Sequence, residues 1–503
     1  MIDANLPPIS SDDLFTDEQM REFLTNGFVI IKPDLPKSIH DTIYQKLDEV
    51  VDMDGNPGNN LLPRVPEIQD VFNHPTVRGA FTSVIGPNYM MHPHRHPHTN
   101  RSGSSGGGWH KDSYWGYGKV RNHRTWWAMV FYYPQDTPVE IGPTAVMPGS
   151  PYYLSRQQDS SETKFSAVGE AGTMAIIHYD LWHQATANQT DLTRYMLKFE
   201  FIRMKPPTIP TWNNQDTDWC PPSDSQLLND QSIMWQHLWN WSSGRSEDKT
   251  VASATEVEIR QWITALRIGT QPERMEAANH LGTLGRNGSE AITTLIQSLN
   301  DPSEPVGLNA AYALGAIGEE SIEPLTNALQ DENETIRRHA AYALTAVGSG
   351  VEERVTELLN HKSADTRGYA AYVLGEIDAV DSVPNLVSLL DDESVNIRRN
   401  VVEALGLIQG NTDTSVHALA KALVKDEDKQ TRFTSALSLA RIGPAAEEAV
   451  PALKDALKDN DRYVRGYGVE ALKYIGTPEA KSVLIDHLMT MRWCTSTNKA
   501  STF

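Results

Sequence analysis

Ala310-Ala311-Tyr312-Ala313-Leu314-Gly315-Ala316-Ile317-Gly318 recurs as Ala340-Ala341-Tyr342-Ala343-Leu344-Thr345-Ala346-Val347-Gly348, and a third time from Ala370 to Asp378. Weaker copies flank these three at Ala277–Gly285, Val401–Gln409, Ser435–Gly443 and Gly468–Gly476. All seven share a leucine, at positions 281, 314, 344, 374, 405, 439 and 472, spaced 33, 30, 30, 31, 34 and 33 residues apart. Such a period, carried by Ala-rich helical text, marks a stacked repeat array. Acidic turns such as Asp301-Pro302, Asp331-Glu332 and Asp459-Asn460 open the units, and second apolar helices such as Ile322–Leu329 and Val383–Leu390 follow. Small Ala pairs let neighbouring helices approach closely, and Gly beyond the last turn supplies a C-cap. One such hairpin cannot bury its own apolar face, so the units must stack into an all-α solenoid.

These repeats resemble the short HEAT-like repeats found in phycobilin lyases and related scaffolds. Several carry that family's Arg after a β-branched residue: Ile336-Arg337, Ile397-Arg398, Thr431-Arg432 and Val464-Arg465. Ankyrin and tetratricopeptide signatures are missing, and the interval is shorter than the ~40–47 residues of long HEAT repeats. Upstream of the array, the polar stretch Ser242–Glu256 has linker composition. The expected organisation is therefore a domain at 1–243, a linker at 244–256, the HEAT-like solenoid at 257–492 and a frayed tail at 493–503.

At ~100–200 residues per domain, 503 residues suit two to four domains, and 39% hydrophobic content suits a globular chain. No apolar run nears ~18 residues, so no membrane span is expected. The N-terminus lacks a basic segment and an apolar core, which argues against a signal peptide. Only Cys220 and Cys494 occur, so a disulfide framework and a Cys-based zinc site are excluded and a cytoplasmic location is expected. Net charge is −21, with −9 in residues 1–250 and −12 beyond, which argues against nucleic-acid binding. The acidic array points instead to a basic or neutral protein partner, or to self-association.

Ten of the 12 Trp and 11 of the 16 His precede residue 250, so the chemistry is concentrated there. Short runs rich in β-branched and aromatic residues, Phe28–Ile31, Thr125–Tyr133, Thr173–His178 and Arg194–Ile202, read as strands. Their number predicts a double-sheet jelly roll (a cupin-like double-stranded β-helix) with flanking helices. Within it, Trp109-His110-Lys111-Asp112 carries the chemistry, because residues two apart in extended chain share a face and bring His110 and Asp112 together. A carboxylate and two imidazoles form the facial triad of non-haem Fe(II) oxygenases. His183 supplies the distant imidazole. A hairpin centred between Asn188 and Gln189 would set Arg194 across from His183, adding a planar fork for a carboxylate.

Residues 12–204 resemble the phytanoyl-CoA dioxygenase family. The resemblance rests on the order and spacing of Phe15–Lys32, Trp109–Asp112, Gly142-Pro143-Thr144…Pro148-Gly149-Ser150 and Leu181-Trp182-His183…Asn188…Arg194. It implies that His110, Asp112 and His183 bind Fe(II) and that Arg194 pairs with the C5 carboxylate of 2-oxoglutarate. It also implies O₂ as co-substrate, with succinate and CO₂ released as a C–H bond is hydroxylated. Relatives commonly have Gln where this chain has Lys111. Related halogenases replace the carboxylate with a small residue, so an intact Asp112 favours hydroxylation.

Around this core, Trp126 is assigned to the cofactor side of the pocket, and His96, His98, Lys111, Tyr114 and Trp115 to the substrate side. Alternation lets only one of Trp126 and Trp127 face inward. The run His92-Pro93-His94-Arg95-His96-Pro97-His98 would align its His on one face of an edge strand, since Pro excludes a central one. Ser102–Gly108 reads as a flexible lid or hinge, and the helical text Leu227–Trp241 offers Trp235, Trp239 and Trp241 for packing. Three functions compete: a dioxygenase acting on a free small molecule, one acting on a protein or carrier-bound substrate docked by the solenoid, and an inactive scaffold.

Overall fold

The computed structural model describes residues 6–112, 123–156, 164–222, 229–245 and 252–489. Among them, eight strands form the expected double-sheet barrel. The strands are β1 (Phe28–Ile31), β2 (Met90–Asn100), β3 (Trp127–Tyr132), β4 (Thr144–Val146), β5 (Phe165–Ser166), β6 (Met174–His178), β7 (His183–Ala185) and β8 (Arg194–Ile202). The larger antiparallel sheet runs β1-β6-β3-β8-β2, and the smaller runs β5-β4-β7. β2 lies at the edge as its prolines require, and its register slips between Met91 and Arg95.

Alternation along β8 explains which face does what. Tyr195, Leu197, Phe199 and Phe201 pack with Ile43 and Leu47 of the helix Lys37–Asp54 and with Val77 and Phe81 of the helix Pro75–Ile85. The opposite face meets the smaller sheet, where Met129, Phe131, Ile177 and Met196 share a core with Val146. Arg194, Lys198 and Glu200 are buried along β8 at the alternate positions belonging to this second face. Buried charges need partners or ligands, so that inter-sheet space is the place to look for function.

In the solenoid, the helices Gln271–Thr283, Glu304–Ile317, Glu334–Val347, Ala364–Glu376, Val395–Leu407, Lys429–Ile442 and Arg462–Ile475 stand side by side. Their turns are cross-linked by ion pairs of 2.8 Å: Arg337 to Asp365, Arg367 to Asp392, Arg398 to Asp426 and Arg432 to Asp459. The same arginines donate to carbonyls of their own turns, as Arg337 does to Asp331 O and Arg432 to Asp426 O. These pairs tie consecutive repeats together and leave the array's net charge unchanged.

The barrel is seated on this row of helices. Residues two before or two after the shared Leu reach it from successive repeats. Asn279 donates to Asp230 O (3.1 Å), and Tyr312 Oη lies 2.8 Å from His123 Nδ1. Tyr342 stacks on His123 at 3.9 Å, and Glu376 accepts from Arg124 (3.2 Å). Further along, Arg441 lies over Trp126 (5.4 Å) and Tyr474 Oη donates to Tyr89 O (2.8 Å). Glycine permits the closest approaches at both ends: a Cβ on Gly282 would stand 2.7 Å from Ile233, and one on Gly466 2.8 Å from Pro93. Composition did not reveal that the two halves share so many buried groups.

Candidate active site

His110 and His183, far apart in sequence, are joined by two backbone hydrogen bonds of 3.0 Å in an antiparallel bridge, which sets their rings 4.3 Å apart. Asp112 follows two residues after His110 in extended chain, and the donor atoms of all three residues lie within 4.8 Å of one another. His110 Nδ1 donates to Gly108 O and His183 Nδ1 to Leu181 O, each at 2.9 Å. Those carbonyls hold the protons on Nδ1 and leave both Nε2 lone pairs free, the tautomer a metal ligand needs. His183 Nε2 and Asp112 Oδ2 then approach to 3.5 Å as two lone-pair atoms, an arrangement that a cation between them relieves.

Nothing in the residue pattern pointed to the partner on the other side of Asp112. Lys198 Nζ donates to Asp112 Oδ2 at 2.7 Å and lies 3.7 Å from Glu200, which in turn lies 3.3 Å from His92 Nδ1. All are buried. Burial works to raise the Asp112 carboxyl, but the Lys198 ammonium outweighs it and holds the group below the usual carboxylate range. The group is therefore an anion throughout the physiological range. Period-two alternation from Arg194 places Lys198 on the inner face; only the fold shows which carboxylate it meets.

Arg194, on the same face of β8 as Lys198, is not placed by the expected hairpin. β7 pairs with β4, with His183 opposite Val146, whereas β8 pairs with β2, with Arg194 opposite Asn100. The turn at Asn188 links strands of different sheets, so His183 and Arg194 stand on opposite sheets and are not paired in one ladder. Arg194 Nε donates to Gly142 O (3.0 Å), and Asn100 Nδ2 donates to the same carbonyl (3.0 Å). The Gly142-Pro143-Thr144 motif thus acts as the anchor for the arginine. Arg194 Nη1 is buried with no hydrogen-bond partner, and burial pulls the guanidinium below its ordinary value. An orphaned buried donor of this kind fits a carboxylate ligand.

Residues 23–196 match the phytanoyl-CoA dioxygenase (PhyH) family, and residues 259–350, 351–440 and 416–491 match HEAT repeats. The chain joins a PhyH domain to HEAT repeats. It is 34% identical over 114 residues to the uncharacterized phycocyanin operon protein Z of Pseudanabaena tenuis (strain PCC 7409). That match covers 22% of this chain and 54% of the relative, so the chain spans about half the length of the protein it matches. Among solved structures it is similar to the non-haem α-ketoglutarate-dependent carbocyclase SnoK from nogalamycin biosynthesis (18% identity, 40% of this chain and 88% of the other, TM-score 0.33). It is also similar to iron-bound EctD from S. alaskensis (13% identity, 40% and 82%, TM-score 0.33).

Other expectations for the PhyH domain are met unevenly. Trp126 is not on the cofactor side: it is buried against Trp241 (ring centroids 5.6 Å apart) and under Arg441, facing the HEAT repeats. The inward member of the pair is Trp127, 5.4 Å from both His92 and Tyr179. Lys111 points away from the triad and donates to Ser150 O (3.1 Å) and Pro151 O (2.9 Å). His96 and His98 lie on β2, with His96 opposite Lys198. Tyr114 and Trp115 fall outside the described residues. His178 stays out of the triad, its Nδ1 accepting from Asp180 N (3.2 Å). Ser102–Gly108 is no free lid. Gly103 and Gly107 donate to Asn188 O and Ala185 O, and at Gly106 (φ +81°) a Cβ would lie 2.5 Å from Ala185 O.

Proposed function

We propose that the protein is an Fe(II)- and 2-oxoglutarate-dependent dioxygenase that hydroxylates a C–H bond of a small molecule, releasing succinate and CO₂. The observation that carries this reading is the clustering of two Nε2 lone pairs with an ionised carboxylate, and a buried, orphaned Arg194 Nη1 on the same face of β8 as Lys198 supports it. His110, Asp112 and His183 would hold the iron, and Arg194 would take the C5 carboxylate of 2-oxoglutarate. When bound, these groups supply the oxidising power that ordinary side chains lack. The chain's own contribution is placement. Gly108 and Leu181 fix the imidazole tautomers, Lys198 orients Asp112, and the Gly142 carbonyl aims the guanidinium. Intact Asp112 favours hydroxylation over halogenation.

Docking of a protein or carrier on the helices that face the barrel has no support, because Tyr312, Tyr342 and Glu376 there are engaged with the PhyH domain itself. Among the described residues no helix is long and apolar enough to cross a membrane. The reading is tested by adding Fe(II) and then 2-oxoglutarate without oxygen, which should produce the weak visible charge-transfer band of a chelated 2-oxo acid. A flat spectrum from folded protein would overturn it and favour the inactive scaffold.

A further inference from the structure

The His-rich strand connects the metal site to the HEAT repeats. His94 and His96 stack at 6.2 Å with their planes 2° apart, and His96 meets His98 edge-on at 4.7 Å. His96 lies opposite Lys198, cross-strand partners share a face, and Lys198 holds Asp112; the row therefore forms a wall of the metal cavity. At its inner end, His98 Nε2 is buried with no hydrogen-bond partner. At its outer end, the HEAT repeats take over. Tyr463 Oη lies 2.9 Å from His94 Nδ1, and Arg462 Nη2 donates to that hydroxyl at 3.0 Å, with the guanidinium 4.8 Å from the Tyr463 ring.

Arg462 opens its helix ten residues before the shared Leu472, where earlier repeats have Glu334, Ala364, Val395 and Lys429. It is exposed and has no carboxylate partner among the described residues. An exposed arginine without an ion-pair partner, set at the outer end of a row of imidazoles, needs a reason. The cations deeper in are already assigned, Lys198 to Asp112 and Arg194 to the 2-oxo acid. Packing does not supply the reason, because the Tyr463–His94 contact stands without the exposed guanidinium.

We propose that Arg462 and Tyr463 of the HEAT region, with His94 and His96 of the PhyH domain, form a mouth subsite that binds an anionic group, a carboxylate or phosphate, on the substrate. The inference rests on the dioxygenase reading and deepens it by naming the substrate class. The guanidinium fork takes two oxygens of the anion, and the one proton left to the hydrogen-bonded Tyr463–His94 pair, with the His96 imidazole, completes its hydrogen bonds. The active site is thus shared between the two halves, which gives the HEAT repeats a catalytic reason to stay attached.

The test uses the full chain with Fe(II) and 2-oxoglutarate. Matched pairs of metabolites, carboxylic acids with their amides and phosphate monoesters with their parent alcohols, are screened for stimulated succinate release. Stimulation by the anionic members alone is expected, and which of the two pair types responds separates carboxylate from phosphate. Arg462→Ala should raise KM for the stimulating compound roughly tenfold while kcat stays within about twofold, and Arg462→Lys should recover part of the loss. Tyr463→Phe should raise KM less. The exposed Arg260→Ala should change nothing. Equal stimulation by a neutral partner, no stimulation by any anion, or an unchanged KM in Arg462→Ala would overturn the proposal. The anaerobic charge-transfer band, which does not involve Arg462, separates this failure from failure of the dioxygenase reading, with which the proposal would also fall.

Discussion

A buried guanidinium that gives one nitrogen to a backbone carbonyl and leaves another without an acceptor is destabilising until a ligand completes it. Arg194 is in that state, its Nε on Gly142 O and its Nη1 orphaned. Arg194→Ala removes charge-assisted bonds of about 1.5–3 kcal/mol, so the KM for 2-oxoglutarate should rise roughly ten- to a hundredfold. Iron affinity, measured by chelator competition, should stay nearly unchanged, because Arg194 does not touch the triad; parallel loss of both would make it a structural residue. At this scale the triad was legible because the spacing of His110 and Asp112 is itself the chemistry. Arg194 was legible as a residue but not by its register, since nothing local tells a hairpin from a crossing between sheets. Trp126 was misplaced because alternation fixes that one of two neighbours faces inward and not which one. Lys198 and Glu200 were missed for a related reason: a cation's partner on another strand is a property of the fold.

At the scale of elements, the repeat was readable from its leucines, but the glycine following the leucine explains how tightly it stacks. Gly282, Gly315, Gly375 and Gly406 occupy that position, where a helix would ordinarily prefer Ala by up to about 1 kcal/mol. A Cβ on Gly375 would stand 2.7 Å from Ala404 Cα, which is backbone and cannot swing aside. Gly375→Ala should therefore destabilise by about 1–2 kcal/mol, since overpacking exceeds a propensity gain that is small one residue from the helix end. The readout is the urea midpoint of the full chain, and a midpoint that rises would show that the helices are free to separate. The arginine ladder was half visible in the same way. Its arginines and its acidic turns were both noted, but their pairing spans consecutive repeats and needed the stacking offset.

At the scale of the whole molecule, the PhyH domain and the HEAT repeats close one another's buried surface, and His123 shows what that implies for pH. Its imidazole is enclosed by Tyr312 and Tyr342, and burial holds it neutral, well below its ordinary 6.5. His94 against Tyr463 is likewise pulled down by burial, to about 4. The unfolded chain binds these protons near pH 6.5 and the folded chain does not, so the stability they confer is complete above that pH and is lost as pH falls. Each such histidine steepens the loss by up to about 1.4 kcal/mol per pH unit, and His123→Phe should flatten the slope of stability between pH 6.5 and about 5 by that amount. Identical slopes would mean that His123 accepts its proton without leaving its place. The same shared surface governs what happens when the chain is cut at the linker that its composition marks. Residues 1–245 made alone would bare Trp126 and Ile233, now 3% and 7% exposed, together with the ring faces that Tyr312 and Tyr342 cover. A contiguous apolar patch of that kind drives association. The fragment should therefore aggregate, or lack a cooperative thermal transition and near-ultraviolet dichroism. A soluble fragment that melts cooperatively and binds iron as the full chain does would show that the repeats are an attachment and not half of the fold.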